Sequence, residues 1–248
     1  MKKNLLLITY YLLPIAFCLL LGSCGKNKLQ EYYFPLEQLN KEAKVYEYEY
    51  RVRDSTFKMY WYYQSIRQND SIYLIGTCYN QNFEQLMVMR EERVKNGMKL
   101  TDMYFYTTDA KGYAVQNQVE IQGGAVFPFE VKDSNSVFIN IIKYKDVKDS
   151  TRQTTLTQNR RFLRETQYNF KGQKLEAVAF EKKEEQADND TKRGGIAYVS
   201  KIQELYAKNI GLVYTKRQMS DSEFMESRLL DIYTMSALEE KFKKNQSK

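Results

Sequence analysis

Histidine is absent from this 248-residue chain, and that absence removes several kinds of chemistry. Without imidazole, Ser–His–Asp and Cys–His catalysis and the common zinc sites are excluded. No Gly-rich phosphate loop of either standard spacing is present. Asp188–Asp190 starts like a calcium loop, but Lys192 and Arg193 stand where a ligand and the loop glycine are needed. We therefore expect no metal and no cofactor.

Cysteine and proline are also scarce, with three residues of each. Pro14 lies in the N-terminal apolar run, so the rest of the chain has no proline-rich linker. Cys18 and Cys24 lie near the N-terminus, which leaves Cys78 without a partner for an internal disulfide. Cys78 belongs to the apolar, strand-like stretch 72–79, which favours a buried and unreactive thiol.

Carboxylates are the catalytic groups that the missing residue types leave open. Glu47 with Glu49, and Glu91 with Glu92, are the close pairs that glycoside hydrolysis would need. The alternating pattern places Glu47 and Glu49 on a charged, solvated face. We therefore expect surface charge here and a non-catalytic protein, with a carboxylate-based carbohydrate-active enzyme as a remaining alternative.

Charges of both signs are interspersed, with 38 Lys and Arg against 31 Asp and Glu and a formal net charge of +7. No basic helix, zinc spacing or nucleic-acid recognition motif occurs, which argues against nucleic-acid binding. The modest cationic excess is compatible with anionic headgroups or acidic polysaccharide, and equally with ordinary solubility.

The N-terminus has the order of features typical of an export signal. Lys2 and Lys3 precede an uncharged apolar run from Leu5 to Leu21. The run ends in Leu21-Gly22-Ser23-Cys24, which resembles the lipobox of bacterial lipoproteins, an aliphatic residue and two small residues before a cysteine.

This resemblance implies cleavage before Cys24 and lipidation of its thiol, with acyl chains such as palmitate holding the protein to a membrane. Several acyl chains suffice for stable anchoring. We expect an extracytoplasmic protein on a bacterial membrane, the outer membrane rather than the inner. The alternative is an uncleaved N-terminal anchor helix, because an apolar run of this length is at the lower limit for crossing a bilayer.

Period-2 alternation dominates the remainder of the chain and predicts a mainly β fold. Asp54-Ser55 and Asn96-Gly97 are among the turn signals between strands, and Asn96-Gly97 is the strongest hairpin signal. Because the strands are closely spaced, we expect a large twisted antiparallel meander, curled into a half-barrel or open barrel, with short helices near the ends.

The expected organisation has four parts. They are a signal peptide over 1–23, a lipidated cysteine and tether with a short helix over 24–44, an antiparallel β domain over 45–235, and a C-terminal helix or tail over 236–248. Within the β domain, the polar stretch 181–192 predicts a mobile hairpin loop.

Aromatic and methionine side chains alternate along the predicted strands and could line an apolar pocket. These residues are Tyr46, Tyr48, Tyr50, Phe57, Met59, Trp61, Met87, Met89, Met103 and Phe105. The layout of many sequential strands, an aromatic interior and a helix resembles the half-barrels of the LolA and LolB lipid carriers. An ordinary packed core would use the same residues.

Three Asp-Ser tripeptides resemble the acceptor sequence of a general O-glycosylation system of exported proteins. The candidate acceptors are Ser55, Ser71 and Ser150, and Asp-Ser is also common turn chemistry. The function expected overall is a lipid-anchored envelope protein whose β domain binds an envelope protein or has a structural role, or alternatively carries an apolar ligand.

Overall fold

The computed structural model describes residues 27–109, 111–133, 135–145 and 151–246. In this part of the chain, fifteen strands, a short 3₁₀ helix (Gln30–Tyr32) and two α-helices are present, α1 (Leu36–Lys41) and α2 (Met235–Gln246). No helix among the described residues is both long and apolar enough to span a membrane. The predicted signal peptide, the lipobox and Cys24 lie outside the described residues.

The strand bounds are as follows. They are β1 (Asn27–Lys28), β2 (Lys44–Val52), β3 (Ser55–Gln68), β4 (Ser71–Tyr79), β5 (Gln85–Val94), β6 (Gly97–Thr108), β7 (Ala114–Gln118), β8 (Glu120–Pro128), β9 (Glu130–Val131), β10 (Val137–Lys145), β11 (Arg152–Phe170), β12 (Gln173–Asp190), β13 (Gly194–Ala207), β14 (Gly211–Gln218) and β15 (Phe224–Tyr233).

Twelve of the described strands form one closed antiparallel sheet. Its order runs β5-β4-β3-β2-β15-β14-β13-β12-β11-β10-β8-β6, and β6 pairs again with β5. The prediction of a mainly β, antiparallel fold is confirmed. The sheet is a closed barrel where a half-barrel or open barrel was expected, because β6 is hydrogen-bonded to β5 on one side and to β8 on the other.

One end of the barrel, the plugged end, is filled by residues 28–43, here called the N-terminal plug. Leu29, Tyr33, Phe34 and Leu39 of the plug are all buried. The Phe34 ring lies 4.3 Å from the ring of Tyr63, centroid to centroid. A tether with a short helix was expected over 24–44; helix α1 lies in this stretch, and the apolar side chains around it belong to the main hydrophobic core.

Helix α2 packs on the outer face of the barrel, over β2 and β3. Leu238 is buried there with Val45 and Tyr60, and Phe242 packs against the same cluster. Beneath the helix lies Glu47, which is 1% exposed and accepts hydrogen bonds from Lys241 and Tyr233. Glu47 was expected on a solvated face, and that expectation is wrong because the helix covers this part of the outer face.

Strand β12 continues to Asp190, so the loop predicted over 181–192 is instead mostly strand. Its charged residues alternate, and those at 182, 184 and 188 form ion pairs on the inner face. Ionic partners on neighbouring strands replace the apolar contacts that usually mark a buried strand. Side chains alternate between the two faces here as in any strand. Because the inner-face positions 182, 184, 186 and 188 are polar or charged, the sequence predicted a loop.

The β5–β6 hairpin forms where the sequence predicted it, with Lys95-Asn96 as its two turn residues. Val94 pairs with Gly97, so Gly97 is already in β6. A Cβ atom on Gly97 would lie 2.3 Å from the carbonyl oxygen of Phe127. Glycine is needed at this position because β8 approaches closely, and not because the turn requires a positive φ.

Candidate binding site at the open end of the barrel

The inner face of the barrel changes character from the plugged end to the opposite end, here called the open end. Alternate residues of β12 share this face because side chains alternate along a strand. From the plugged end outward, they are Phe180, Lys182, Glu184, Gln186 and Asp188. The interior therefore passes from an apolar core through two ionic layers to a polar rim.

The deeper ionic layer is centred on Glu204 of β13. Its carboxylate is 3% exposed and lies 2.8 Å from Arg160 Nε and 2.8 Å from Lys182 Nζ. Burial alone would raise the pKa of Glu204, but the charges of Arg160 and Lys182 outweigh it and lower the pKa to about 2. Glu204 is therefore ionised and held by two cations from neighbouring strands.

Glu91 is a second buried carboxylate in this layer, and the N-terminal plug supplies its partner. The Tyr33 hydroxyl donates a hydrogen bond to Glu91. Burial raises the pKa of Glu91 to about 7, although the Tyr33 hydrogen bond and the charge of Arg160 counteract the shift. The plug is thus attached to the barrel wall by a polar contact as well as by apolar packing.

The outer ionic layer is a row of hydrogen-bonded side chains across neighbouring strands. Glu184 pairs with Arg217 and accepts a hydrogen bond of 2.7 Å from Gln158. Gln158 in turn accepts one from Asn140, and Arg217 donates to Ser200 at 3.2 Å. These side chains bond mainly to one another, although the buried Oδ1 of Asn140 has no hydrogen-bond partner, and the row lies between the packed core and the open end.

Two cavities lie beyond this row, at the open end, and both contact Gln186. The first, of about 320 Å³, is lined by Phe105, Tyr144 and Arg152 among others. The second, of about 470 Å³, lies between β13 and β14 and includes Tyr198 in its lining. Their linings combine aromatic rings with amide and charged groups, which is typical of binding clefts.

The second cavity borders a stretch of β13 that has a strand partner on one side. Gly194–Lys201 pairs with β12, whereas the register with β14 begins at Ile202. Ile196, Tyr198 and Val199 on this stretch are 54%, 56% and 57% exposed. Among the described residues, this edge therefore combines backbone groups without a sheet partner and exposed apolar side chains.

The ten predicted pocket residues lie on the inner face of the barrel. The strand register joins four of them and one further residue, Cys78, into a continuous row, Tyr46–Trp61–Cys78–Met87–Phe105. The register also pairs Tyr48 with Met59, Tyr50 with Phe57, and Met89 with Met103.

These inner-face residues divide between two environments. Tyr46 and Tyr48 are each 2% exposed and pack in the main core with the N-terminal plug, while the other eight are half-buried. The Tyr46 and Tyr48 hydroxyls donate to the carbonyl oxygens of Ile210 and Leu212. Phe105 lines the first open-end cavity. A role of this set as an apolar pocket stays a prediction.

The candidate modification sites are placed only in part by the structure. Ser55 is exposed at the start of β3. Ser71 is half-buried and donates a hydrogen bond of 2.8 Å to Glu92. Ser150, like Cys24 with Leu21, Gly22 and Ser23, lies outside the described residues. Glycosylation and lipidation therefore stay predictions.

The cysteine and the carboxylate that were considered for reactivity or catalysis, Cys78 and Glu47, are buried and packed against neighbouring side chains. Cys78 is 1% exposed, and burial raises the pKa of its thiol to about 12. Glu47 is held by Lys58, Lys241 and Tyr233. In the part of the chain that the structure describes, no group of three or more Cys, Asp or Glu side chains is arranged to hold a metal ion.

Sequence reasoning missed both the interior ionic layers and the free edge of β13. Arg160, Lys182 and Glu204 carry no sign in the sequence that they lie inside, because charged residues are rarely buried unless paired. The uncharged run from Gly194 to Ser200 between charged neighbours is the one signal that could have identified the edge.

No protein-family model and no curated protein matches this sequence. Two solved structures have a similar fold. One, from Parabacteroides distasonis and described provisionally as a lipoprotein, is 11% identical with a TM-score of 0.53, covering 81% of this chain and 97% of that one.

The other is from Bacteroides fragilis and is described provisionally as an exported protein with a YmcC-like fold. It is 12% identical with a TM-score of 0.55, and the match covers 82% of this chain and 99% of the other. At such low identity the similarity shows the fold alone, and fold does not determine function.

Proposed function

We propose that this chain is an exported lipoprotein of the bacterial envelope, held through Cys24, preferentially on the outer membrane, with a non-catalytic β domain that binds a partner. The order of charge, apolar run and lipobox supports export and anchoring. The descriptions of the two structural neighbours as a lipoprotein and an exported protein are compatible with it.

The free edge of β13 is the observation that carries the binding role. A strand with one unpaired side accepts another strand through backbone hydrogen bonds, and its side chains then determine specificity. Proteins usually protect such edges with charge or proline. Gly194–Ser200 has neither, and three of its side chains are more than half exposed.

The partner that fits this edge is an extended, uncharged polypeptide segment. Backbone pairing would satisfy the edge, and Met219, which is 55% exposed across the second cavity, adds apolar surface on the other side. One cation and one carboxylate line the second cavity, Arg217 and Glu184, and they pair with each other. A strongly charged ligand would therefore find no unpaired partner in that ion pair.

Site-specific photocrosslinking in intact envelopes tests this role. A benzoylphenylalanine in place of Tyr198 should give one discrete higher-mass adduct whose second component is a single protein. The matched control replaces Leu163, which is 37% exposed on another strand, β11. Equal adduct patterns from both positions, or none from Tyr198, would reject partner binding at the edge.

Fractionation of a Cys24→Ala variant tests the anchor separately. We expect this variant to leave the membrane fraction or to accumulate at unprocessed size, because it has no thiol for lipidation. The lipid anchor would be rejected if the variant still fractionates with membranes and the wild-type protein has its unprocessed size. A transmembrane anchor would then be the better interpretation.

A carrier of an apolar ligand is the second candidate, favoured by the eight half-buried inner-face side chains. Native mass spectrometry of the protein purified from its own envelope, followed by lipid extraction, separates the two roles. A stoichiometric lipid would support the carrier. An apo mass would leave the binding role at the edge of β13.

A further inference from the structure

The N-terminal plug begins very close to the predicted lipid anchor. Only two residues, Gly25 and Lys26, separate Cys24 from β1. A chain of this length reaches about 11 Å at full extension, since each residue spans at most about 3.6 Å. If Cys24 carries lipid, the surface around β1 must therefore lie next to the membrane.

Four cations surround the point where the chain enters the barrel. Lys28 lies in β1, which pairs with β9, and Lys132 directly follows β9. The turn that contains Lys95 is joined to the same place, because Asn96 accepts a hydrogen bond from the backbone of Phe129. Arg93 lies over the ring of Phe129. We call these residues, Lys28, Arg93, Lys95 and Lys132, the basic cluster.

Carboxylates near the basic cluster are fewer than its cations: Glu130 is the strand partner of Lys28, and Asp133 follows Lys132. Lys28, Lys95 and Lys132 are exposed and make no ion pair with any described residue. Lys28 and Arg93 also line a cavity of about 460 Å³ beside the plug. The two carboxylates on that cavity, Glu31 and Glu37, are paired with Lys208 and Arg67.

We propose that the plugged end of the barrel faces the membrane and that its basic cluster binds anionic lipid headgroups. The proposal rests on the lipid anchor proposed above and adds the membrane-facing surface and its ligand. Exposed lysines within a Debye length of an anionic leaflet are attracted to it. The tether length brings the cluster into that range.

This orientation places the free edge of β13 far from the bilayer. Strand β12 runs between the two ends with 18 residues, about 56 Å along the strand and about 40 Å along the barrel axis at the usual strand tilt. The same tether that holds the plugged end at the membrane would thus present the open end to partners in the surrounding space.

Headgroup quenching in reconstituted vesicles tests the orientation. The full lipoprotein is labelled at a cysteine introduced by Asn96→Cys or Lys192→Cys and placed in vesicles of 30% phosphatidylglycerol with a headgroup-attached spin label. Position 96 lies at the plugged end and position 192 at the open end. Cys78 is buried and should not react with the label.

We expect quenching at position 96 to exceed that at position 192 by at least about fivefold, because spin-label quenching decays within tens of ångströms. Neutralising Lys28 and Lys132 (K28Q/K132Q) should reduce quenching at position 96 by about half in anionic vesicles. The matched control K111Q/K192Q removes two lysines from the open end and should leave the quenching at position 96 unchanged.

The intact mass of the same sample distinguishes the two ways of failing. An unacylated mass would overturn both the anchor and the orientation. An acylated mass with equal quenching at both positions would overturn the orientation alone. Equal effects of K28Q/K132Q and K111Q/K192Q would overturn the headgroup contact.

Discussion

Glu91 and Glu204 show how two buried carboxylates in one interior respond differently to pH. Glu204 has two cations within 2.8 Å, so its pKa falls to about 2 and its charge is constant over the neutral range. Glu91 has a hydroxyl partner, Tyr33, and burial raises its pKa to about 7. Burial decides the outcome only where no cation is in direct contact.

The stability of the protein should therefore decrease as pH rises from about 4.5 to 7. Glu91 binds its proton more tightly in the folded state, so its contribution is complete below 4.5 and lost as pH rises through 7. The loss amounts to about 3 kcal/mol, at about 1.4 kcal/mol per pH unit. Urea unfolding of wild-type protein and Glu91→Gln at pH 5 and pH 8 measures it.

Glu91→Gln should lose most of this pH dependence and be more stable than wild type at pH 8. The neighbouring variant Glu92→Gln is the matched control and should keep the wild-type slope, because Glu92 pairs with Ser71 outside the core. The same slope in Glu91→Gln as in wild type would show that another group causes the dependence.

Gly97 and Gly123 give a second test at the scale of single residues. An alanine at Gly97 places its Cβ 2.3 Å from the Phe127 carbonyl oxygen, whereas at Gly123 the nearest atom is 3.6 Å away. Urea unfolding should show a loss of about 2 kcal/mol for Gly97→Ala and less than about 0.5 kcal/mol for Gly123→Ala. Similar losses for both variants would mean that the approach of β8 is not the constraint.

At the scale of elements, α2 covers part of the outer face of the barrel over β2 and β3. Ending the chain at Thr234 would expose Val45 and Tyr60 and remove Lys241 from the buried Glu47. We expect a loss of about 3 kcal/mol in urea unfolding, since buried apolar area is worth about 25 cal/mol per Å².

A control chain that ends at Gln246 keeps all of α2 and should unfold like wild type. Unchanged stability of the chain that ends at Thr234 would contradict the packing of α2 on the barrel. Lys241→Met separates the two contributions, because it keeps the helix and removes one cation from Glu47.

Strands with alternating apolar residues were predictable from the sequence. Segments stabilised by ion pairs or by packing against residues distant in sequence were not. The β2–β3 hairpin follows from the alternation of Tyr46, Tyr48 and Tyr50 and from the turn at Asp54. The far half of β12 has charged residues on its inner face. In the N-terminal plug only the short helix was predicted, and its packing inside the barrel was not. Both are fixed by partners distant in sequence, which a local pattern does not show.

At the scale of the whole molecule, the antiparallel meander was predictable but its closure was not. Sequential pairing follows from short connections. Closure depends on the pairing of β6 with both β5 and β8, and that depends on Gly97 permitting close approach. The location of the candidate site is a consequence of barrel closure and was not predictable either. Because the barrel is closed and filled at one end, the other end and the edge of β13 are the surfaces left for binding.

The lipid anchor is the central claim of this account, because export, orientation and the presentation of the open end all depend on it. The mass and sequence of the N-terminal peptide of protein isolated from its native membranes test it most directly. We expect a peptide that begins at Cys24 and carries a diacylglycerol and an amide-linked acyl chain. A peptide that begins at Met1, with an unmodified Cys24, would contradict the account.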